Sequence, residues 1–112
     1  MATITHEELH ARLSECNIPS HTHEGIVRYI LQGRPCGHFL NAIYSNDLKE
    51  ACNRADEENR YRLYDYIFFL YNYAPAACFG SPEKFQAWIQ GGGFKGIYQK
   101  EAANGTDQTD RR

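Results

Sequence analysis

Apolar positions along residues 1–90 recur at the three- and four-residue spacing of helices. Leu9 and Leu13 fall on one face of a first helix, and Ile26 and Ile30 mark the stripe of a second. No stretch alternates between apolar and polar residues over a useful length, so strands are not expected. The pattern predicts an all-α fold, a compact bundle of about five to six helices.

Capping residues mark where these helices begin and end. Thr5 followed by Glu8 is a capping-box pattern, and Ser81-Pro82 is a favoured start for the last helix. Gly33 is placed to end the second helix in the left-handed conformation. A short third helix is expected over 37–44, and a fourth follows from the helical spacing of Leu48, Ala51, Cys52 and Ala55.

The longest helix is expected to run roughly from Glu57 to Tyr73, with Asp56 as its N-cap. Ten of the thirteen residues over 61–73 are apolar or aromatic, and they cover every face of the helix. Such a helix is expected either at the centre of the bundle or with one face against another subunit. A small domain gains from oligomerisation, so a homo-oligomer is expected.

The composition changes after Gln90, where three consecutive glycines begin a segment with little apolar surface. We expect this run to be a linker, because it precedes no helix suited to binding phosphate. The working domain is therefore predicted over 1–90, followed by a flexible Gly-rich tail over 91–112. Phe94, Ile97 and Tyr98 are the residues of the tail that we expect to dock locally.

Composition and charge exclude several classes of protein. The 112 residues are 42% hydrophobic and 23% charged, which is an ordinary globular balance, and the formal net charge is −2. That charge argues against bulk binding to nucleic acid, and no helix offers an exposed basic face for reading DNA. No apolar run approaches the roughly 20 residues of a membrane span. The N-terminus lacks the pattern of a signal peptide, which predicts a cytoplasmic protein.

The four cysteines form no Cys-x-x-Cys pair, so we expect reduced structural thiols, with Cys16 and Cys52 suited to buried positions. His6 and His10 have a spacing that can hold a metal ion, but a shortage of further ligands favours a solvated helix face. Whether His21, His23, Cys36 and His38 lie near one another is left open, because their spacing matches no zinc pattern. No metal and no cofactor are expected.

Cys36 and His38 are the one tempting pair of nucleophile and base, on a turn whose position before a helix would lower the thiol pKa. No phosphate-binding, dinucleotide-binding or serine-hydrolase glycine pattern occurs in the sequence. The sequence therefore predicts a protein that is not an enzyme.

A set of polar side chains lies within or beside the apolar stripes, and it admits two interpretations. Helix capping and internal hydrogen bonds satisfy most such groups. The rival interpretation is a pocket in which arginines hold an anion while tyrosines stack on a base. The candidate ligand-binding residues are Arg28, Tyr29, Asn46, Asp47, Arg54, Asp56, Asn59, Tyr66 and Asn72.

Over about residues 17–90 the chain resembles a family of small phage and prophage proteins of unassigned function. The residues that carry the likeness are Ile18-Pro19, Gly25, Arg28-Tyr29-Ile30, Phe39-Leu40, Asn46-Asp47-Leu48, Ala55-Asp56-Glu57, Leu70-Tyr71-Asn72-Tyr73-Ala74-Pro75 and Gly80-Ser81. Members carry Pro-Gly-Ser before the Phe-Leu pair, whereas this chain has Cys36-Gly37-His38. The resemblance implies a phage or mobile-element origin and a compact helical domain.

A phage origin favours counter-defence by binding, in the cytoplasm of the host cell. The first hypothesis is an oligomeric sponge that sequesters a nucleotide-type immune signal. Arg28 and Arg54 would hold phosphate, Tyr29 and Tyr66 would stack, and Asn59 or Asn72 would read the base.

The second hypothesis is a protein–protein inhibitor of a host defence complex, of the anti-CRISPR type. Its acidic residues would occupy a basic groove of the partner. Those acids are Asp47, Glu50, Asp56, Glu57 and Glu58. Another structural or regulatory phage role is the third hypothesis.

Overall fold

Six α-helices joined by short turns make up residues 4–99, the part of the chain that the computed structural model describes. No strand occurs in this part, so the predicted all-α fold is confirmed. None of its helices is long and apolar enough to cross a membrane. The helices are α1 (His6–Glu15), α2 (His23–Gln32), α3 (His38–Tyr44), α4 (Leu48–Arg54), α5 (Leu63–Tyr73) and α6 (Pro82–Gly91).

The predicted caps hold the ends of three helices. The hydroxyl oxygen of Thr5 accepts the backbone N–H of Glu8 at 3.1 Å, and that of Ser81 accepts the N–H of Lys84 at 3.1 Å. Gly33 ends α2 with φ 72°, in the left-handed region. Each cap satisfies a backbone group that a helix end leaves without an intrahelical partner. The bounds of α1, α2 and α6 therefore lie close to the predicted ones.

Tyr29 joins the elements of the core. Its ring stacks on that of Tyr44 from α3, with centroids 3.8 Å apart and planes 4° from parallel. Its hydroxyl donates to the carbonyl of Cys78 at 2.6 Å, and its own carbonyl accepts the indole N–H of Trp88 at 2.9 Å. One fully buried residue of α2 thus contacts α3, α6 and the 3₁₀ turn Ala76–Cys78.

The long helix is shorter than predicted. Asp56 caps a separate 3₁₀ turn, Asn59–Tyr61, by accepting the N–H of Asn59 at 2.7 Å. Arg62 follows with φ −114° and ψ 7°, outside helical geometry, and α5 begins only at Leu63. The prediction of one helix from Glu57 is wrong, because the polar run satisfies its backbone in a turn instead.

Burial on α4 and α5 is one-sided. Tyr66, Phe69 and Leu70 are the buried residues of α5, and its other face stays exposed. On α4 Ala51 alone is buried, while Leu48 and Cys52 are exposed. The prediction of a buried Cys52 is therefore wrong, whereas Cys16 is buried as predicted. Helical spacing identified these helices correctly but overestimated the burial of α4, whereas a helix α5 with one open face is compatible with the second of its two predicted arrangements.

The glycine run after α6 forms a packing contact with the end of α2. Gly92 caps α6 in the left-handed conformation, and Gly93 lies against the backbone of Gly33. Phe94 is buried, and Ile97 and Tyr98 pack against the core, so the predicted local docking is confirmed. The packed region thus extends past the predicted boundary at residue 90, and the expected linker is wrong for the glycines. The remainder of the predicted tail, 100–112, lies outside the described residues.

We predict that Gly33→Ala lowers the free energy of unfolding by about 2–4 kcal/mol. An added Cβ would lie 2.6 Å from the nitrogen of Gly93 and 2.8 Å from the carbonyl oxygen of Trp88, at φ 72°. Backbone atoms on both sides leave little room to adjust. Urea unfolding followed by circular dichroism measures the loss.

Gly37→Ala is the matched control, because Gly37 has φ −79° and an added Cβ there meets nothing within 4 Å. We expect a change below about 0.5 kcal/mol. Equal losses for the two variants would contradict the close contact between the ends of α2 and α6.

Candidate functional site

The nine predicted site residues do not converge on one pocket, and most of them bond within their own element or to its neighbour. Arg28 is exposed on α2 and lies 3.8 Å from the carboxylate of Glu24. Arg54 is exposed on α4 and pairs with Glu50 at 2.6 Å. The two arginines expected to hold one phosphate are thus each paired with a glutamate of their own helix.

Asn59, Tyr66 and Asp56 are the members of the predicted set that the structure brings together. The Tyr66 hydroxyl donates to the side-chain oxygen of buried Asn59 at 2.7 Å and lies 3.3 Å from the hydroxyl of Thr22. Burial raises the pKa of Tyr66 to about 12, so the hydroxyl keeps its proton at neutral pH. This cluster satisfies buried polar groups and fastens α5 to the turn before α2.

Tyr29 has no exposed surface with which to stack on a ligand. Burial raises the pKa of its hydroxyl well above the ordinary value for tyrosine. Its ring stacks on Tyr44 within the core, and Phe85 lies beside the pair with its centroid 5.8 Å from that of Tyr29. The residue serves as a core packing element rather than as a platform for a base.

The remaining predicted residues serve the backbone or lie on the surface. Asp47 caps α4 by accepting the N–H of Glu50 at 3.1 Å, and exposed Asn46 before it adopts φ 61°. Asn72 donates to the carbonyl of Phe68 at 2.9 Å and is exposed. Asn72 therefore lies on the uncovered side of α5, with its amide bonded to its own helix.

Cys36 differs from the activated thiol that its turn suggests. Its sulfur donates to the carbonyl of Gly25 at 3.2 Å and lies 3.6 Å from the hydroxyl of Tyr44. Burial raises the thiol pKa, so the expected lowering is wrong. His23 is likewise occupied, with its ring nitrogen 2.7 Å from the carbonyl of Ile18. Among the described residues, the cluster suited to a metal ion is a different one, His6, His10 and Glu24.

Two hollows touch members of the predicted set. A cleft of about 190 Å³ beside α4 includes Asn46 and Asp47, and its volume is below the roughly 300 Å³ of small-molecule pockets. A hollow of about 390 Å³ includes Asn72 and is otherwise lined by aromatic, aliphatic and proline residues. No cationic side chain lines either hollow, so neither offers a partner for phosphate.

Four large apolar or aromatic side chains are exposed along α5, and we call this surface the α5 face. Tyr64 and Tyr71 are 75% and 79% exposed, and Ile67 and Phe68 between them are 43% and 41% exposed. Their spacing of i, i+3, i+4 and i+7 places all four on one side of the helix. The apolar excess of this helix was visible in the sequence, but which side stays open depends on how α1 packs against α5.

A second group that sequence reasoning left incomplete is the histidine–carboxylate cluster. The carboxylate of Glu24 on α2 lies 3.5 Å from His6 and 3.3 Å from His10 of α1. The spacing of the histidines was recognised, whereas the third member comes from another helix.

No protein-family model, curated protein or solved structure matches the chain. The α5 face and the histidine–carboxylate cluster are therefore the features of the molecule from which we infer function.

We predict that Tyr66→Phe lowers the free energy of unfolding by about 1–2 kcal/mol, because it leaves the side-chain oxygen of buried Asn59 without its donor. Tyr64→Phe removes an exposed hydroxyl from the same helix and is expected to change stability by less than about 0.5 kcal/mol. Urea unfolding of both variants measures the two free energies of unfolding, which are compared with that of the wild type. An unchanged Tyr66→Phe would contradict the structural role of that hydroxyl.

Proposed function

We propose that the protein acts by binding another protein through the α5 face. Under the phage origin that the sequence resemblance implies, the partner is a component of a host defence complex and binding inhibits it. This corresponds to the second hypothesis from the sequence, with one change. The aromatic stripe supplies the centre of the contact, and acidic residues supply part of its rim.

The observation that carries the proposal is the exposure of Tyr64, Ile67, Phe68 and Tyr71 on one side of α5. A contiguous apolar patch of this kind on a small protein is typical of an interaction surface. Tyrosine is enriched among the residues that dominate binding energy at protein interfaces. Its hydroxyl stays hydrated while the protein is free, which suits an interface that forms only when a partner is met.

The chemistry of the partner follows from what surrounds the stripe. The segment before α5 carries Asp56, Glu57 and Glu58, which are all exposed, and Arg60, whose guanidinium lies 4.0 Å from the carboxylate of Glu57 and offsets part of that negative charge. An apolar groove with basic residues along one edge would complement both features. Charges at the rim of an interface mainly raise the association rate and select the partner.

Sequestration of a nucleotide-type signal has less support from the contacts. A sponge would need Arg28 and Tyr29 to face one ligand, yet Arg28 lies on the surface beside Glu24 while Tyr29 is enclosed in the core. Tyr66 is bonded to Asn59 inside the protein. Binding of a nucleotide through these residues would require the core to open.

We predict that Tyr64→Ala combined with Tyr71→Ala weakens binding to the defence complex by roughly a hundredfold, which corresponds to about 2.8 kcal/mol. The complex is found by screening for defence systems against which the wild-type protein restores phage plaque formation. Affinity for the purified complex is then measured by titration calorimetry. Both tyrosines are exposed, so the melting temperature should stay close to that of the wild type.

Gln86→Ala combined with Gln90→Ala is the matched control, since it truncates two exposed side chains one turn apart on α6. This variant should bind and protect like the wild type. Equal protection by the tyrosine double variant would contradict the proposal. Charge reversal at Glu57 and Glu58 should slow association and leave the melting temperature unchanged.

Two further outcomes would indicate another role, either a contact between two copies of the chain at the α5 face or sequestration of a nucleotide. If light scattering shows a dimer that the tyrosine double variant converts to a monomer, the face belongs to a second copy of the chain. In an antiparallel two-fold contact, Tyr64 of one copy would lie near Tyr71 of the other. If native mass spectrometry finds a nucleotide-sized ligand that Arg28→Ala removes, sequestration replaces protein binding.

A further inference from the structure

We propose that His6, His10 and Glu24 form a binding site for a divalent transition-metal ion of the zinc type. The site lies where the first two turns of α1 meet the first turn of α2. It is independent of the α5 face, so neither proposal depends on the other.

The two separations between Glu24 and the histidines are close to those that a tetrahedral ion requires. The Glu24 oxygen Oε1 lies 3.5 Å from Nε2 of His6 and 3.3 Å from Nε2 of His10. Zinc bonds of about 2.0–2.1 Å at tetrahedral angles place neighbouring ligand atoms about 3.3 Å apart. All three ligand atoms lie within 4.8 Å of one another, so an ion fits with small side-chain movements.

The fold holds the three side chains in place from two directions. Thr5 caps α1 immediately before His6, and buried Leu9 and Leu13 fix the rotation of that helix. His6 and His10, four residues apart, therefore project on the same side, with ring centroids 4.4 Å apart. Glu24 belongs to α2, which packs directly against α1. An ion bound here would join the two helices.

The second oxygen of Glu24 has a separate partner. Its Oε2 lies 3.8 Å from Nε of Arg28, whereas Oε1 faces the two imidazoles. At 3.8 Å the guanidinium makes a charge interaction with this oxygen rather than a hydrogen bond. Oε1 therefore remains available to the ion.

The sequence and the ligand chemistry point to the same ions. Residues 6–10 read His-Glu-Glu-Leu-His, which is an H-E-x-x-H pattern on a helix, and in such patterns both histidines bind zinc. Glu24 completes a set of two histidines and one glutamate, which leaves a fourth position for water. Two imidazole nitrogens favour zinc, cobalt or nickel over magnesium and calcium, which prefer oxygen ligands.

The test uses the full-length, tag-free protein after treatment with a chelator. Zinc is titrated by calorimetry, and cobalt is titrated by visible absorption, which reports coordination geometry. We expect one equivalent of either ion and a tetrahedral cobalt spectrum without thiolate charge-transfer absorption. The last criterion excludes binding through exposed Cys52.

His6→Ala and Glu24→Gln should each abolish the one-equivalent binding. His21→Ala is the matched control, because it removes an exposed imidazole outside the cluster and should leave binding unchanged. Zinc should raise the melting temperature of the wild type and not that of Glu24→Gln, which keeps the side-chain shape. Circular dichroism confirms that each variant is folded.

Three results would overturn the proposal. Stoichiometric binding that persists in both His6→Ala and Glu24→Gln would place the ion elsewhere. Equal weakening by His21→Ala would indicate adventitious binding to surface histidines. The absence of one-equivalent binding to the wild type would leave Glu24 as a hydrogen-bond partner of His10 only.

Discussion

The fold depends on Tyr29 being satisfied at both of its polar ends while its ring is enclosed. A buried hydroxyl or carbonyl without a partner costs more than a hydrogen bond returns, so the surrounding elements are constrained. The carbonyl of Cys78 accepts the hydroxyl of Tyr29, and the carbonyl of Tyr29 accepts both the N–H of Gly33 and the buried indole N–H of Trp88, while Tyr44 supplies the stacked ring. Because Cys78, Trp88 and Tyr44 come from three elements beyond α2, their positions relative to that helix are fixed together.

Local signals in the sequence accounted for most of the helix ends. Thr5, Ser81 and Gly33 act through atoms within a few residues, so their roles are readable from the sequence alone. The beginning of α5 was not readable in this way. Asp56 is a good N-cap, but the turn that it caps is a 3₁₀ turn that stops before Arg62. Whether a capped turn continues as a helix depends on tertiary packing as well as propensity.

In the candidate sites, too, contacts between residues close in sequence could be predicted, whereas contacts between residues far apart in sequence could not. The sequence singled out the polar set, but it could not separate internal hydrogen bonding from a pocket. That distinction depends on partners such as Asn59 for Tyr66 and Cys78 for Tyr29, the second of which is 49 residues away. The exposure of the α5 face and the approach of Glu24 to His6 arise in the same way from helix packing. Periodicity identifies which residues share a helix face, and tertiary structure decides what that face meets.

The contact between Gly33 and Gly93 has a consequence for how the chain is completed during synthesis. A polypeptide emerges from the ribosome starting at its N-terminus, so α2 is available long before the segment that covers its end. Until residues 93–98 have emerged, the end of α2 lacks its glycine partner, and Phe94 and Tyr98 cannot pack beside Trp88. The closing step of folding therefore belongs to the last part of the packed chain. A chain that is released before this segment has been synthesised lacks the contacts that residues 93–98 make with the end of α2 and with Trp88.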